Sequence, residues 1–111
     1  MKFLRHAAVA AALLALAGCK GVTPIKTVLD DPSQWNGREV RVAGTVKSAV
    51  GVLGYGVYRV DDQTGVLTIV TETGGVPREG ARVAVEGKIR TAFTLGTETA
   101  TVLVESRRGQ E

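Results

Sequence analysis

The side chains best suited to acid–base chemistry in this 111-residue chain are two neighbouring carboxylates, Asp61 and Asp62, in the stretch YRVDDQTGVLTIV. Paired carboxylates can share a proton, and correctly spaced acidic oxygens can hold calcium. Adjacent residues at the end of a strand point apart, however, and aspartate is favoured in turns because its side chain bonds to nearby backbone. The stretch also lacks the alternating oxygen ligands of a calcium loop. We therefore predict a hairpin turn here, and neither a catalytic nor a metal site.

Nucleophilic chemistry would depend on the single histidine, His6, and the single cysteine, Cys19, both in an unusual N-terminal segment. Lys2 and Arg5 form a basic start, and residues 7–17 follow without a charge. As a helix these eleven residues span about 16 Å, roughly half of a bilayer core, so we do not expect a stable transmembrane helix. The pattern is typical of a cleaved secretory signal peptide over residues 1–18. Its removal takes the histidine away, and we expect a non-catalytic protein.

The end of this segment, LAGC at residues 16–19, resembles the lipobox of bacterial lipoproteins, in which a leucine and two small residues precede an invariant cysteine. The resemblance implies a diacylglyceryl group on Cys19, cleavage after Gly18 and acylation of the new amino terminus. An ordinary signal peptide that ends near a cysteine is the alternative. Several acyl chains anchor a protein stably, whereas one holds it only marginally. Lys20 after the cysteine, rather than aspartate, implies the outer membrane, facing the periplasm, if the cell has two membranes.

Loss of residues 1–18 would bring the domain close to neutrality. The whole chain has 14 Lys and Arg residues against 11 Asp and Glu residues, a net charge of +3. Without Lys2 and Arg5, 12 basic residues face the same 11 acidic ones, which leaves a net charge of +1. A near-neutral domain has no general attraction to phosphate backbones. With Cys19 acylated no disulfide can form, so packing alone must hold the fold.

Hydrophobic periodicity divides the remaining chain into one short helix and five strands. Thr23 at the N-cap and a proline in the first turn predict a helix over residues 24–31, which Pro32 ends. The period then changes to two, which predicts strands at about residues 39–46, 55–60, 66–71, 81–89 and 100–105. Gly44 inside the first strand predicts a sharp bend. We expect residues 19–23 to be the acylated cysteine and a short tether, residues 24–105 the domain, and residues 106–111 a flexible tail.

Five short strands with glycine-rich turns and no helical period between them predict an all-β fold, a small closed five-stranded barrel with a short N-terminal helix. The segments WNGREVRVAGTV, YRVDDQTGVLTIV and VPREGARVAVEGKI resemble successive parts of bacterial OB-fold domains. The middle segment resembles the hairpin of anticodon-binding-like domains, and the periplasmic bacterial OB-fold family has a similar stretch. The resemblance implies a Greek-key barrel and specifies a fold far better than a function. The usual helix between strands three and four has no room in residues 72–80, so we expect the N-terminal helix to seal the barrel end.

The candidate binding surface is the outward side of the second and third strands. Alternation turns an unusually apolar set of side chains outward there: Tyr55, Val57, Arg59, Val66, Thr68 and Val70. The neighbouring segments add three more candidates: Lys47, Arg90 and Phe93. We expect Tyr55 to anchor a ligand, with the three cations Lys47, Arg59 and Arg90 setting its polarity. The alternative is that the first strand or the N-terminal helix covers this surface.

The leading hypothesis for the ligand is a partner protein, a glycan or a small molecule, bound near the membrane by a monomeric lipoprotein of the cell envelope. Single-stranded nucleic acid is the alternative, because OB barrels can bind it with a basic groove and aromatic platforms. Export and the small number of aromatic residues favour the first hypothesis. We expect no cofactor and no metal, since the OB-fold haem chaperones of cytochrome maturation rely on a histidine that the mature chain lacks.

Overall fold

The fold is a closed five-stranded barrel preceded by two short helices. A computed structural model describes residues 21–52, 54–72 and 75–110. The elements in chain order are α1 (Ile25–Asp30), α2 (Pro32–Trp35), β1 (Glu39–Val52), β2 (Tyr55–Asp61), β3 (Val66–Thr71), β4 (Arg82–Leu95) and β5 (Glu98–Gln110). The strands follow the order β1-β2-β3-β5-β4, and β4 closes the barrel against β1. β3 and β5 run parallel, and the other four pairs are antiparallel. The predicted all-β barrel with a short N-terminal helix is confirmed.

Period-two alternation fills the interior of the barrel, as the sequence predicts. Every second residue of the central strand segments points inward and is removed from water, which contributes about 0.8 kcal/mol for each buried methylene group. The core consists of Ile25, Val28, Val40, Val42, Val46, Tyr58, Val60, Leu67, Ile69, Val83, Val85, Ile89 and Leu103. Among the described residues no helix is long and apolar enough to cross a membrane. The signal-peptide and lipobox predictions, including Cys19, concern residues 1–20, which lie outside the described part of the chain.

Helix α1 closes one end of the barrel. Its buried side chains, Ile25 and Val28, belong to the barrel core. A glycine in the β2–β3 turn permits this close docking, because a Cβ atom on Gly65 would lie 3.1 Å from Cγ2 of Ile25. Trp35 of α2 packs against the core from the same side, and the guanidinium of Arg38 lies 4.9 Å from the centre of its ring. A six-residue helix is unstable alone, so this docking supplies its stability.

The cap of α1 does not come from Thr23, so the N-cap prediction is wrong. The N-cap position is Pro24, and no side chain there accepts a capping hydrogen bond. The amide of Ile25 instead donates to Oδ2 of Asp62, 2.9 Å away, and the amide of Lys26 donates to Oγ1 of Thr64 at 3.1 Å. The turn between β2 and β3 therefore caps a helix that precedes it by 37 residues. Reasoning from neighbouring residues alone does not reveal such a long-range cap.

Asp62 is expected to contribute stability that depends on pH. Partial burial acts to raise the pKa of Asp62, but hydrogen bonds from the Thr64 side chain and from the amides of Ile25, Thr64 and Gly65 outweigh it and lower the pKa below the ordinary value of 3.8. The ionised carboxylate thus stabilises the folded state fully above about pH 4, and this contribution is lost as pH falls through the lower folded-state pKa. Asp62→Ala should cost about 1–2 kcal/mol at pH 7, measured by urea denaturation.

The matched control is Asp30→Ala, which removes an exposed carboxylate whose partner Lys26 is also exposed. Such a surface pair contributes little, so its loss should change the free energy of unfolding by less than about 0.5 kcal/mol. The difference between wild type and the Asp62→Ala variant should shrink steadily below pH 4. An Asp62→Ala deficit that is the same at pH 2.5 and pH 7 would contradict the capping role.

The predicted flexible tail is wrong for residues 106–110. These residues extend β5 and pair with β4, from Arg107 opposite Glu86 to Gln110 opposite Val83. A register shift between Glu86 and Gly87 accommodates the extension, and Arg107 forms a 3.0 Å ion pair with Glu86. The polar composition of this segment led to the prediction of a flexible tail surrounded by solvent. Backbone pairing on an exposed strand, however, needs no apolar side chains.

Strands β1 and β4 also run further than predicted, and their extra residues build two hairpin arms. β1 continues to Val52 and pairs with β2, while β4 continues to Leu95 and pairs with the start of β5. Gly44, predicted to bend β1, is buried where β1 approaches β2 closely, and a Cβ atom there would collide with the carbonyl of Asp61. The described residues between β3 and β4, 72 and 75–81, contain no helix.

Candidate binding face

The binding face is defined here as the outer side of β2, β3 and β5, framed by the two hairpin arms. Cross-strand pairing forms one row around this face, which runs Val50, Val57, Val70, Val104 and Lys88. A second row runs Ser48, Arg59, Thr68, Val102 and Arg90. Neighbouring strands lie about 4.8 Å apart, so the backbones of Arg59 and Arg90 are about 14 Å apart, close enough for both side chains to serve one ligand.

A β-bulge at Lys47 turns the end of β1 onto this face. The register passes from Val46 opposite Val60 to Ser48 opposite Arg59, which leaves Lys47 as the extra residue. Strict alternation from the inward Val46 would bury Val50. After the bulge Val50 instead lies beside the outward Val57, and it is 59% exposed. Sequence reasoning missed Val50 because a bulge reverses the inward and outward positions that follow it.

A second bulge, in β4, places Phe93 on the same face as Arg90. Arg90 lies opposite Val102 and Phe93 opposite Ala100, so β4 carries one extra residue between them. Ala92, inside the bulge, has a φ of 57°, in the left-handed region that alanine rarely adopts. Without the bulge, strict alternation would turn Phe93 and Arg90 to opposite sides of the strand. Both predicted residues therefore reach the binding face only through this irregularity.

The predicted site residues occupy different parts of this face. Tyr55, 56% exposed, and the exposed Arg59 lie on β2, with the half-buried Val57 between them. Arg90 is exposed and Phe93 is half-buried at the opposite edge, on the β4–β5 arm. The exposed Lys47 lies in the β1 bulge, beside Arg59. The six residues thus share one side of the barrel but do not form a single pocket.

The centre of the binding face is not open, so the prediction that Val70 is available for binding is wrong. Val70 and its neighbour Val102 are both fully buried, although they lie outside the barrel core. Val70 sits at the β3–β5 junction between Val57 and Val104, whose side chains flank it at about 5 Å. The end of β1 pairs beside β2 and extends the barrel wall. Helix α1 docks at the barrel end and closes it. The accessible apolar surface is therefore at the β1–β2 arm.

A buried polar network supports this face from inside the barrel. The hydroxyl of Tyr58 on β2 donates a short hydrogen bond to Glu105, and Nη1 of Arg108 lies 3.1 Å from the same carboxylate oxygen. The guanidinium of Arg108 also lies 5.4 Å from the centre of the Tyr58 ring, and its Nη2 donates to the carbonyl of Gly75 at 3.1 Å. The network thus joins β2, β5 and the segment before β4 at the end of the barrel opposite α1.

Burial and pairing fix the protonation states of Tyr58 and Arg108. Burial raises the pKa of Tyr58 well above its ordinary value, and the hydrogen bond to Glu105 raises it further, against the opposing effect of Arg108. Burial acts to lower the pKa of Arg108, but its interactions with Tyr58 and Glu105 outweigh burial and raise it. The phenol therefore stays protonated and the guanidinium charged at any physiological pH. Neither group is available as a nucleophile or a base.

The carboxylate pair of the β2–β3 turn is occupied by backbone hydrogen bonds, as predicted for a turn. Asp61 accepts from the amide of Gln63 at 2.7 Å, and Oδ1 of Asp62 accepts from the amides of Thr64 and Gly65 at 2.9 and 3.1 Å. Within residues 21–52, 54–72 and 75–110, no three His, Cys, Asp or Glu side chains come together as a metal site would require. The side chains of the binding face itself, among them Tyr55, Arg59 and Val50, can offer stacking, charge pairing and apolar contact.

The closed barrel with strand order β1-β2-β3-β5-β4 is an OB fold. Solved structures with this fold include a chain of the Stn1-Ten1 complex of S. pombe, with 20% sequence identity and a TM-score of 0.51 over 66% of this chain. Asparaginyl-tRNA synthetase from Pyrococcus horikoshii matches with 19% identity and a TM-score of 0.59 over 83% of this chain. OBody AM3L09, solved bound to hen egg-white lysozyme, matches with 18% identity and a TM-score of 0.56 over 68% of it.

These likenesses establish the fold and nothing finer, because all three sequence identities are below 25%. This chain spans 57% of the Stn1-Ten1 chain, 21% of the synthetase chain and 82% of the OBody chain. No protein-family profile and no curated protein matches the sequence.

Proposed function

We propose that this protein is a non-catalytic module that binds single-stranded nucleic acid across the binding face. The observation that carries the proposal is the placement of aromatic rings at both edges of one face, Tyr55 on the β1–β2 arm and Phe93 on the β4–β5 arm, together with three cations. Aromatic side chains stack on unpaired bases, and cations beside them attract the phosphates. The similarity in fold to asparaginyl-tRNA synthetase, an enzyme whose name includes a nucleic acid, supports the same proposal.

The charges predict a modest electrostatic contribution to this binding. Lys47, Arg59 and Arg90 are three of the exposed cations of the face, and a fourth, Lys88, lies opposite Glu39, which offsets its charge. Each neutralised phosphate of a single strand changes log K by about 0.7 for each unit of log salt. Three contacts therefore give a slope of about −2. Stacking must supply the remaining affinity, because residues 19–111 carry a net charge of only +1. The exposed Tyr55 is the residue best placed to provide it.

Tyr55→Ala is expected to weaken binding of a fluorescein-labelled single-stranded DNA of 12 nucleotides about tenfold, measured by fluorescence anisotropy. The thermal midpoint should change little, because 56% of the side chain is already exposed. Arg59→Ala should reduce the magnitude of the salt slope by about 0.7. The matched controls are Tyr55→Phe, which keeps the ring, and Arg107→Ala, which removes an exposed arginine that pairs with Glu86 of β4. Equal losses in the Arg59→Ala and Arg107→Ala variants would contradict the assigned face.

A membrane-anchored envelope lipoprotein that binds a partner protein, a glycan or a small ligand is the second candidate. The observation that favours it is the apolar surface of the β1–β2 arm, where Val50 is 59% and Tyr55 is 56% exposed, since exposed aliphatic and aromatic residues mark interaction sites. The OBody is a protein of the same fold whose structure was solved bound to another protein, hen egg-white lysozyme. Failure of the purified protein to bind any single strand in 50 mM salt would favour this candidate, for which incorporation of labelled fatty acid at Cys19 is the first measurement.

A further inference from the structure

A cleft of about 490 Å³ opens where the β4–β5 arm meets the end of β3 and the start of β1. Phe93 and Val104 supply its apolar surface, Lys88 and Arg90 its cations, and Glu39 and Glu72 line it on the side of β1 and β3. This volume falls within the range of about 300–1,000 Å³ that is typical of small-ligand sites. The cleft adjoins the binding face, because Val104 and Arg90 belong to the two cross-strand rows described above.

The β4 bulge controls whether Phe93 lines this cleft. The bulge requires a left-handed conformation at Ala92, which is unfavourable for any residue with a Cβ atom. Unfavourable backbone conformations persist where the surrounding structure enforces them, and they concentrate at functional sites. Here the conformation keeps Phe93 on the side of Arg90, with its ring half-exposed to the cleft. A flat ring beside a cation and an apolar floor is an arrangement that suits one stacked base.

The three carboxylates of the cleft differ in whether they already have a hydrogen-bond or charge partner within the protein. Glu105, at its inner wall, already accepts hydrogen bonds from Tyr58 and Arg108. Glu39 lies directly opposite Lys88 in the β1–β4 pairing, so the two charges offset each other. Glu72 follows the last residue of β3 and is exposed. Across residues 21–52, 54–72 and 75–110, no side chain or amide donates a hydrogen bond or ion pair to its carboxylate.

We infer that this cleft holds one unpaired base, stacked on Phe93, and that Glu72 selects a base with an exocyclic amine there. The inference rests on the proposed function. An ionised carboxylate only accepts hydrogen bonds, so it pairs with the N4 amine of cytosine and repels the O4 carbonyl of thymine. Arg90 at the rim then contacts the phosphate beside the base. Cytosine and thymine differ little in size, so a preference between them isolates the contribution of the amine.

The test compares oligocytidine and oligothymidine, each of eight deoxynucleotides and labelled with fluorescein, by anisotropy at 50 mM salt. Wild-type protein should bind oligocytidine about tenfold more tightly. Glu72→Gln should reduce this ratio to near one without weakening the binding of oligothymidine, because the amide offers both a donor and an acceptor. Phe93→Ala should weaken the binding of both strands. The matched control is Glu79→Gln, which changes an exposed carboxylate of the same β3–β4 segment that does not line the cleft.

Each outcome has a distinct meaning. Equal affinity of the wild type for the two strands would overturn the inference and leave the proposed function standing. A preference that survives Glu72→Gln, or that Glu79→Gln also removes, would likewise overturn it. Binding of neither strand would overturn the proposed function, and with it the inference. Circular dichroism of the Glu72→Gln and Glu79→Gln variants should match that of the wild type, because both carboxylates are exposed.

Discussion

Replacing Arg108 by methionine is expected to lower the free energy of unfolding by about 3 kcal/mol. The substitution leaves the carboxylate of Glu105, whose side chain is 8% exposed, without its cation. Removing one partner of a buried ion pair typically costs about 3–5 kcal/mol, because the other charge stays buried without compensation. The lower end of that range applies here, since the Arg108 side chain is itself 26% exposed. Loss of the hydrogen bond to the Gly75 carbonyl should also release the segment before β4.

Urea denaturation of three variants tests this expectation. Tyr58→Phe keeps the ring and the ion pair, so it should cost only about 1.5 kcal/mol for one hydrogen bond to a charged group. Arg107→Met is the matched control, since Arg107 is the adjacent arginine, is 75% exposed and pairs with Glu86 at the surface. It should change stability by less than about 0.5 kcal/mol. If Arg108→Met costs no more than Arg107→Met, the network does not stabilise this end of the barrel.

Gly87→Ala is expected to destabilise the barrel strongly, because the added methyl group would overlap backbone of the neighbouring strand. Gly87 lies on β4 where β5 approaches closely, and an added Cβ atom would overlap the carbonyl of Val104 and contact Cδ2 of Leu103. The overlap involves backbone, so it is relieved only by separating the two strands at the point where their register shifts. Overpacking of this kind costs about 1–3 kcal/mol and occasionally more, and we expect at least 3 kcal/mol here.

Two other glycines set the scale for this measurement. Gly65→Ala would bring a methyl group within 3.1 Å of the Ile25 side chain, which can shift, so its cost should be intermediate. Gly109→Ala on β5 meets no atom within 4 Å and should be nearly neutral. The predicted order of urea midpoints is therefore Gly109→Ala, then Gly65→Ala, then Gly87→Ala as the lowest. A Gly87→Ala midpoint equal to that of Gly109→Ala would show that β4 and β5 are not so closely apposed.

The barrel could be predicted from the sequence because its central strands obey simple alternation. Val40 and Val42, for example, are inward as predicted and buried. The turn at Asp62 was also predictable, because aspartate is favoured where the backbone offers nearby amides. The strand ends were not predictable. Polar residues such as Arg107 and Arg108 resemble a solvated tail unless their partners on β4 are known.

The candidate site was predictable only in part, for a related reason. Tyr55 and Arg59 follow from alternation on β2, where the register is regular. Val50 and Phe93 reach the binding face through bulges, and a bulge depends on the partner strand and has no mark in local composition. The burial of Val70 depends on the parallel β3–β5 junction, which joins residues distant in sequence. The pairing of strands that are distant in sequence therefore decides which of these side chains are exposed, and the alternation of apolar and polar residues does not reveal that pairing.

The position of β5 between β3 and β4 has a consequence for folding during synthesis. A nascent chain that has emerged only to residue 95 contains β1 to β4, but the edges of β3 and β4 both lack their partner. Thr68 must wait for Val102, 34 residues later, before the barrel can close. Pairing across such sequence distances makes folding slow, on a scale of milliseconds to seconds, and open edges invite association with other chains. Nascent chains should therefore be most vulnerable to aggregation immediately before the last strand emerges from the ribosome.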